Sequence, residues 1–174
     1  KYSFMVKIMI LILFSMRCAS FKSNELVDID VQFEKAKILL DKKKYLRAQE
    51  EFNDLVIRGT HSDLGDDSQF YLAESYFLNK EYLLAVAEYD RLIRRMGFSP
   101  YVEKSRWRVC QSYVKESPKY YKDQTNTQKA LSKLQEFIDD YPNSEFKEEA
   151  NTQISELRNK LAYKEYATGV LYIK

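Results

Sequence analysis

Apolar residues recur along this chain with helical spacing, and the spacing itself repeats. Phe33, Ala36, Leu39 and Leu40 stand at i, i+3, i+6 and i+7, the stripe that one face of an α-helix presents. A shift of 37 residues lays Phe70, Ala73, Tyr76 and Phe77 on those positions, and a second shift of 37 adds Trp107, Cys110, Tyr113 and Val114. Each set keeps its order: aromatic, small, large, large. A second helical pattern follows each stripe. Ala48, Phe52, Leu55 and Val56 match Ala85, Tyr89, Leu92 and Ile93 at 37, and Ala130, Leu134, Phe137 and Ile138 at a further 45, so eight extra residues sit inside the third repeat.

Helix pairs joined by a tight turn, with Ala-x3-Phe in the second helix, resemble tetratricopeptide repeats. The predicted fold is therefore all-α, a solenoid of antiparallel helix pairs. The small residues have a mechanical reason. Helix axes that approach to about 8–10 Å need short side chains at the crossing, and Ala36, Ala73 and Cys110 on the first helices, with Ala48, Ala85 and Ala130 on the second, supply them. One pair cannot bury this face alone, so neighbours must stack. The repeats are predicted over about 30–65, 66–100 and 101–143, with a partial fourth over 144–174. Turns are expected at 60–67 and 97–100, with Ser99 as a helix N-cap and Pro100 in the first turn. After Pro142, Phe146, Ala150, Ile154, Leu157 and Leu161 predict a longer helix. The stretch from Tyr163 onward is still helical in pattern, although Gly169 weakens it by about 1 kcal/mol. That helix lacks a partner, so 1–174 is expected to be the front part of a longer array or one without its terminal cap.

Ahead of the repeats, Ile8 to Met16 is a continuous apolar run behind Lys1 and Lys7. As a helix, nine residues span about 14 Å, well short of the roughly 30 Å hydrocarbon core. The run reads instead as the core of a secretory signal over 1–17. Cys18 follows directly, as in a bacterial lipoprotein signal, where the Cys becomes the lipidated first residue. Residues 18–29 then form a lipidated Cys and tether. Arg17 stands where that signal expects a small residue, so a cleaved signal with an incidental Cys is the other reading. Cys110, inside a helical stripe, is a packing residue.

Composition agrees with long helices and removes several classes of chemistry. Gly is 4 and Pro is 3, where ordinary usage gives about 12 and about 9. Lys+Arg 28 against Asp+Glu 26 leaves +2, without the basic excess of a nucleic-acid binder. One His and two Cys are too few for a Cys/His metal site, and no cofactor motif is present. No Gly-rich phosphate loop, HExxH or GxSxG occurs. His61 lies in a predicted loop without a partner, and the acid pairs Asp66-Asp67, Asp139-Asp140 and Glu148-Glu149 read as surface charge. The expectation is a non-catalytic protein.

The third repeat is the most specific feature. Ser117-Pro118-Lys119-Tyr120 leads into Asp123-Gln124-Thr125-Asn126-Thr127, then Ala130 and Leu134-Gln135-Glu136-Phe137-Ile138. Tyr141-Pro142-Asn143-Ser144-Glu145-Phe146 and Leu157-Arg158-Asn159-Lys160-Leu161-Ala162 follow. This ordered set resembles the BamD family, the repeat-containing lipoproteins of the outer-membrane β-barrel assembly (BAM) machinery. The resemblance covers roughly 18–174. It implies lipidation at Cys18, attachment to the outer membrane on the periplasmic side, and partnership with BamA and other assembly subunits. It also implies contact with unfolded outer-membrane barrel proteins and a part in inserting them. A periplasmic repeat scaffold of the cell-wall or division machinery is the alternative.

In such arrays the first helix of each pair lines the binding groove. The aligned positions are Phe33, Lys37 and Leu40 in the first repeat, Phe70, Glu74 and Phe77 in the second, and Trp107, Gln111 and Val114 in the third. An aromatic floor with a few polar groups suits an extended segment carrying an aromatic residue. The other reading is that Phe33, Phe70 and Trp107 pack between repeats. Lys42-Lys43-Lys44 is a basic run at the first inter-helix turn, read as a solvated turn or as a contact with acidic headgroups.

Overall fold

A computed structural model describes residues 28–59 and 63–173, and all regular secondary structure among the described residues is α-helical. The helices are α1 (Ile29–Asp41), α2 (Tyr45–Arg58), α3 (Gly65–Leu78), α4 (Tyr82–Arg95), α5 (Val102–Glu116), α6 (Thr125–Asp140) and α7 (Lys147–Tyr172). Each packs on the next in sequence, and α1 also touches α3. The architecture is the expected stack of helix pairs. The signal segment, Cys18, most of the tether and His61 lie outside the described residues.

The predicted small residues sit where helices meet. Ala36, Ala48, Ala73, Ala85 and Ala130 have no exposed surface, and Cys110 keeps only 1%. Three core clusters follow one another, and each borrows from the next repeat. The first joins Phe33, Ala36, Leu40, Ala48, Phe52 and Leu55 to Leu72 of α3. The second joins Phe70, Ala73, Ala85, Val86, Tyr89 and Leu92 to Val109 of α5. The third joins Trp107, Cys110, Ala130, Leu134 and Phe137 to Ala150, Ile154 and Leu157 of α7. No pair closes its own core, which is the physical reason the repeats must stack.

Two tight turns share one construction. Lys43 donates its backbone N–H to Leu40 O at 2.8 Å and Lys44 to Leu39 O at 2.9 Å. Lys80 and Glu81 do the same to Phe77 O and Tyr76 O, both at 3.0 Å. This is a Schellman ending, which needs a left-handed residue. Lys43 (φ 56°) and Lys80 (φ 65°) take that conformation without being glycine. The third repeat departs from it. Ser117 is extended before Pro118, and α6 begins only at Thr125. The intervening loop wraps the buried side chain of Gln124, whose amide donates to the carbonyls of Lys119 (2.9 Å), Tyr120 (3.2 Å) and Lys122 (3.0 Å). Lys160 reaches from α7 to Ser117 Oγ, and Tyr120 meets Tyr163 edge-on at 4.7 Å.

Two boundary expectations need correction. The turn at 60–67 ends early, because α3 already starts at Gly65 and carries Asp66 and Asp67 in its first turn, where the positive end of the helix dipole favours acids. At the other, Ser99 Oγ does accept from a backbone N–H, that of Tyr101 at 3.2 Å. The regular helix, however, begins at Val102, two residues later than that cap implies, with Tyr101 in the cap position. The closing helix is a single element through Tyr172, and Gly169 lies within it.

Candidate functional site

The first helices α1, α3, α5 and α7 share one side of the stack, and the predicted groove residues divide between its core and its surface. Phe33, Phe70 and Trp107 are core: Phe33 meets Phe52 edge-on, Phe70 stacks on Tyr101 at 4.4 Å, and Trp107 stacks on Phe146 at 5.3 Å. They therefore do not form the floor of an open groove. An aromatic ring at that position reaches the next repeat, whose buried area it supplies. Leu40 is buried in the first cluster, and Val114 packs half-buried against the third.

The polar positions form a row that ties each first helix to the next. Lys37 Nζ lies 5.0 Å from the centre of the Tyr71 ring and 5.8 Å from Phe33. Glu74, buried to 8% exposure, takes Arg108 Nε at 2.6 Å, Arg108 Nη2 at 3.0 Å and Tyr89 Oη at 2.5 Å. Gln111 accepts from Arg108 Nη1 at 2.8 Å and donates to Glu149 of α7 at 3.4 Å. Glu149 also accepts from Gln153. The Arg108 guanidinium lies over the half-buried Phe77 ring at 4.7 Å. Burial raises the Tyr89 hydroxyl well above its ordinary pKa, and the Glu74 charge raises it further. The hydroxyl stays protonated and donates.

Chemically, this row offers one cation stacked on aromatic rings (Lys37), one clamped ion pair (Glu74 with Arg108) and one amide (Gln111). Half-buried Tyr71, Phe77 and Val114 lie among them. Such a surface can hold a polypeptide by side-chain and stacking contacts. From the sequence Tyr89 reads only as part of an apolar stripe and Glu149 only as surface charge, and Arg108 and Gln153 carry no signal, because these positions are not polar in every repeat.

A second inter-repeat device was legible but not read. Ser99 Oγ donates to Asp66 at 2.7 Å, and Ser144 Oγ to Glu103 at 2.6 Å. Each serine also accepts from the backbone two residues on, at Tyr101 or Phe146. Asp66 and Glu103 are 37 apart, whereas Ser99 and Ser144, like Tyr101 and Phe146, are 45 apart. The acid, the cap and the stacked ring therefore recur with the repeat. Tyr101 Oη donates to Asp67 at 2.6 Å, so that acid pair is structural.

On the other side of the stack lies a cavity of about 260 Å³ between α4, α5 and α6, lined by Asp90, Arg106, Cys110 and Lys133 among others. In the first two repeats Gln32 bonds Glu51 at 3.3 Å and Gln69 bonds Glu88 at 2.8 Å across the pair. The third repeat has Arg106 and Lys133 at those positions, two cations that cannot close the seam. Burial raises the Cys110 thiol to about 12, which leaves it protonated and inert. Among the described residues no group of His, Cys, Asp and Glu is arranged to hold a metal ion, and no helix is long and apolar enough to cross a membrane.

Residues 28–174 match the family model YfiO, described as an outer membrane lipoprotein. No curated protein matches the chain.

Proposed function

This chain belongs to the YfiO family of outer membrane lipoproteins, and from that premise we propose that it is a non-catalytic, periplasm-facing subunit of the β-barrel assembly machinery. In this reading Cys18 carries the lipid, BamA and other assembly subunits are its partners, and unfolded outer-membrane barrel proteins are what it helps recognise and insert.

The family match over nearly the whole repeat region carries the proposal. The first-helix side supports it. Lys37, the Glu74–Arg108 pair and Gln111 alternate in charge and hydrogen-bonding character along the row, with Tyr71, Phe77 and Val114 between them. An extended segment laid across that row would meet an aromatic or aliphatic surface and a polar group in turn, which suits a strand with alternating side chains. The Glu74–Arg108 clamp and the Ser–acid caps hold the helices in place, so little ordering cost falls on binding.

Depletion of the protein in its host should lower the amount of folded outer-membrane barrels while their synthesis continues. A photo-crosslinker at Gln111 should capture unfolded barrel proteins, and one at the opposite-side residue Glu88 should not. Unchanged barrel levels, or co-purification of cell-wall and division proteins in place of BamA, would reject this reading for the scaffold alternative.

A further inference from the structure

The outer face of α1 differs from the corresponding faces of α3 and α5. In α3 the positions that receive the preceding helix are Ser68, Leu72 and Ser75, and in α5 they are Ser105, Val109 and Ser112, all buried. Shifted back by 37, the same positions in α1 are Val31, Lys35 and Ile38. Val31 is 61% exposed and Ile38 50%. Interior repeats use serines there, which let a helix come close. The first repeat has bulky apolar residues that project outward. With Leu39 they line a groove of about 590 Å³, whose further lining is Asp30, Glu34, Lys35, Lys42 and Lys44.

Charge is graded along this face. Asp30 and Glu34 lie toward the start of α1, and Lys35 is held by Glu51 at 2.6 Å. Lys42, Lys43 and Lys44 follow at its end, beyond Asp41, all exposed, with Lys43 in the left-handed conformation. The segment leading from Cys18 enters this same helix at its N-cap, Asp28, whose side chain accepts from the Asp30 N–H at 3.1 Å. The face is therefore at the anchored edge of the stack if the lipid is on Cys18. Two projecting aliphatic side chains offer far less than the roughly 800 Å² per partner of a stable protein interface. Aliphatic residues beside clustered lysines suit the boundary between headgroups and acyl chains.

We propose that this edge, α1 with the turn into α2, docks on an anionic phospholipid surface. Lys42, Lys43 and Lys44 meet the phosphate groups, and Val31 and Ile38 enter the apolar layer beneath. Beyond any lipid on Cys18, such a contact would fix the orientation of the stack at the membrane and keep the first-helix row clear of it. The inference goes beyond the assembly role and stands or falls separately from it.

The test uses the chain from Asp28 onward, which holds every described core residue and lacks the lipid position. Binding is measured by flotation with vesicles of phosphatidylcholine alone and with an equal mixture of phosphatidylcholine and phosphatidylglycerol. Binding should be confined to the mixed vesicles and weaken with added salt. Lys42→Asn with Lys44→Glu imports the turn of the second repeat, Asn79-Lys80-Glu81, so the fold is kept. It should cut binding by about tenfold or more, since each lysine is worth about fivefold. Val31→Ser with Ile38→Ser imports the interior residues and should weaken binding several-fold, with the circular dichroism melting curve retained. Equal binding to both vesicles, binding to neither, or variants that bind like the parent would overturn the proposal. So would a dimer in sedimentation that Val31→Ser and Ile38→Ser dissolve, since the face would then belong to a second copy.

Discussion

The Glu74 carboxylate receives hydrogen bonds from helices on both sides, from Tyr89 within its own repeat and from Arg108 in the next. Removing its charge strands a partly buried guanidinium. Glu74→Gln should therefore lower stability by about 1–3 kcal/mol in urea titration, more than an exposed ion pair such as Lys133 with Glu136 contributes. Tyrosine hydroxyls at two such bonds set the alkaline limit. Burial raises Tyr89 and Tyr101 above the ordinary value, and the Glu74 and Asp67 carboxylates raise them further. A raised folded value means that the protonated form is favoured. The stabilisation is complete below the unfolded value of about 10 and is lost as pH climbs beyond it. Urea midpoints at stepped pH should fall above about 10. Tyr101→Phe should flatten that fall while costing about 1 kcal/mol at neutral pH through the lost bond to Asp67.

At the scale of an element, the inter-helix connections decide the local cost. Lys80 closes α3 in the left-handed region, where a Cβ is strained and glycine is not. Lys80→Gly should raise stability by about 0.5–1 kcal/mol, read from the thermal midpoint. The longer connection behaves otherwise, because no tight turn supports it. One side chain, Gln124, satisfies three carbonyls of the loop. Gln124→Ala should cost about 2–3 kcal/mol, and faster amide exchange should appear first over 117–124. Lys160 on α7, its pKa lowered by burial, bonds Ser117 at the loop's start, so loosening should spread to the last helix. The insertion was visible as a break in the period from 37 to 45. Its closure around Gln124 was not, since local pattern says nothing of which amide a loop will wrap.

For the whole molecule, stability passes from repeat to repeat through shared clusters. Leu72, Val109 and Ala150 each complete the core of the pair before them. Ala85 lies at the close approach of the central pair, without exposed surface. Ala85→Arg overpacks that crossing and buries a charge. The full chain should unfold or melt far lower by circular dichroism, because losing the middle cluster uncouples the outer two. The legible part of the groove follows the same logic. Phe33, Phe70 and Trp107 were placed correctly on the first helices, but their rings seal the stack. Lys37, Glu74 and Gln111 engage the neighbouring first helix, so the polar row beside the core is also the one that holds the repeats in line.

Periodicity alone determined the helices, their pairing and which small residues lie at the crossings, because one face of a helix must be buried and only a repeat of that face can do it. The acid, serine and ring that recur between repeats emerged only once the fold brought Ser99 to Asp66 and Ser144 to Glu103. Tertiary structure decided how the aromatic and polar positions divide between core and surface, and which helix receives each charge. A spacing along one helix names the face a residue belongs to. Only the distance to the next helix decides whether that face is covered, clamped or left for a partner.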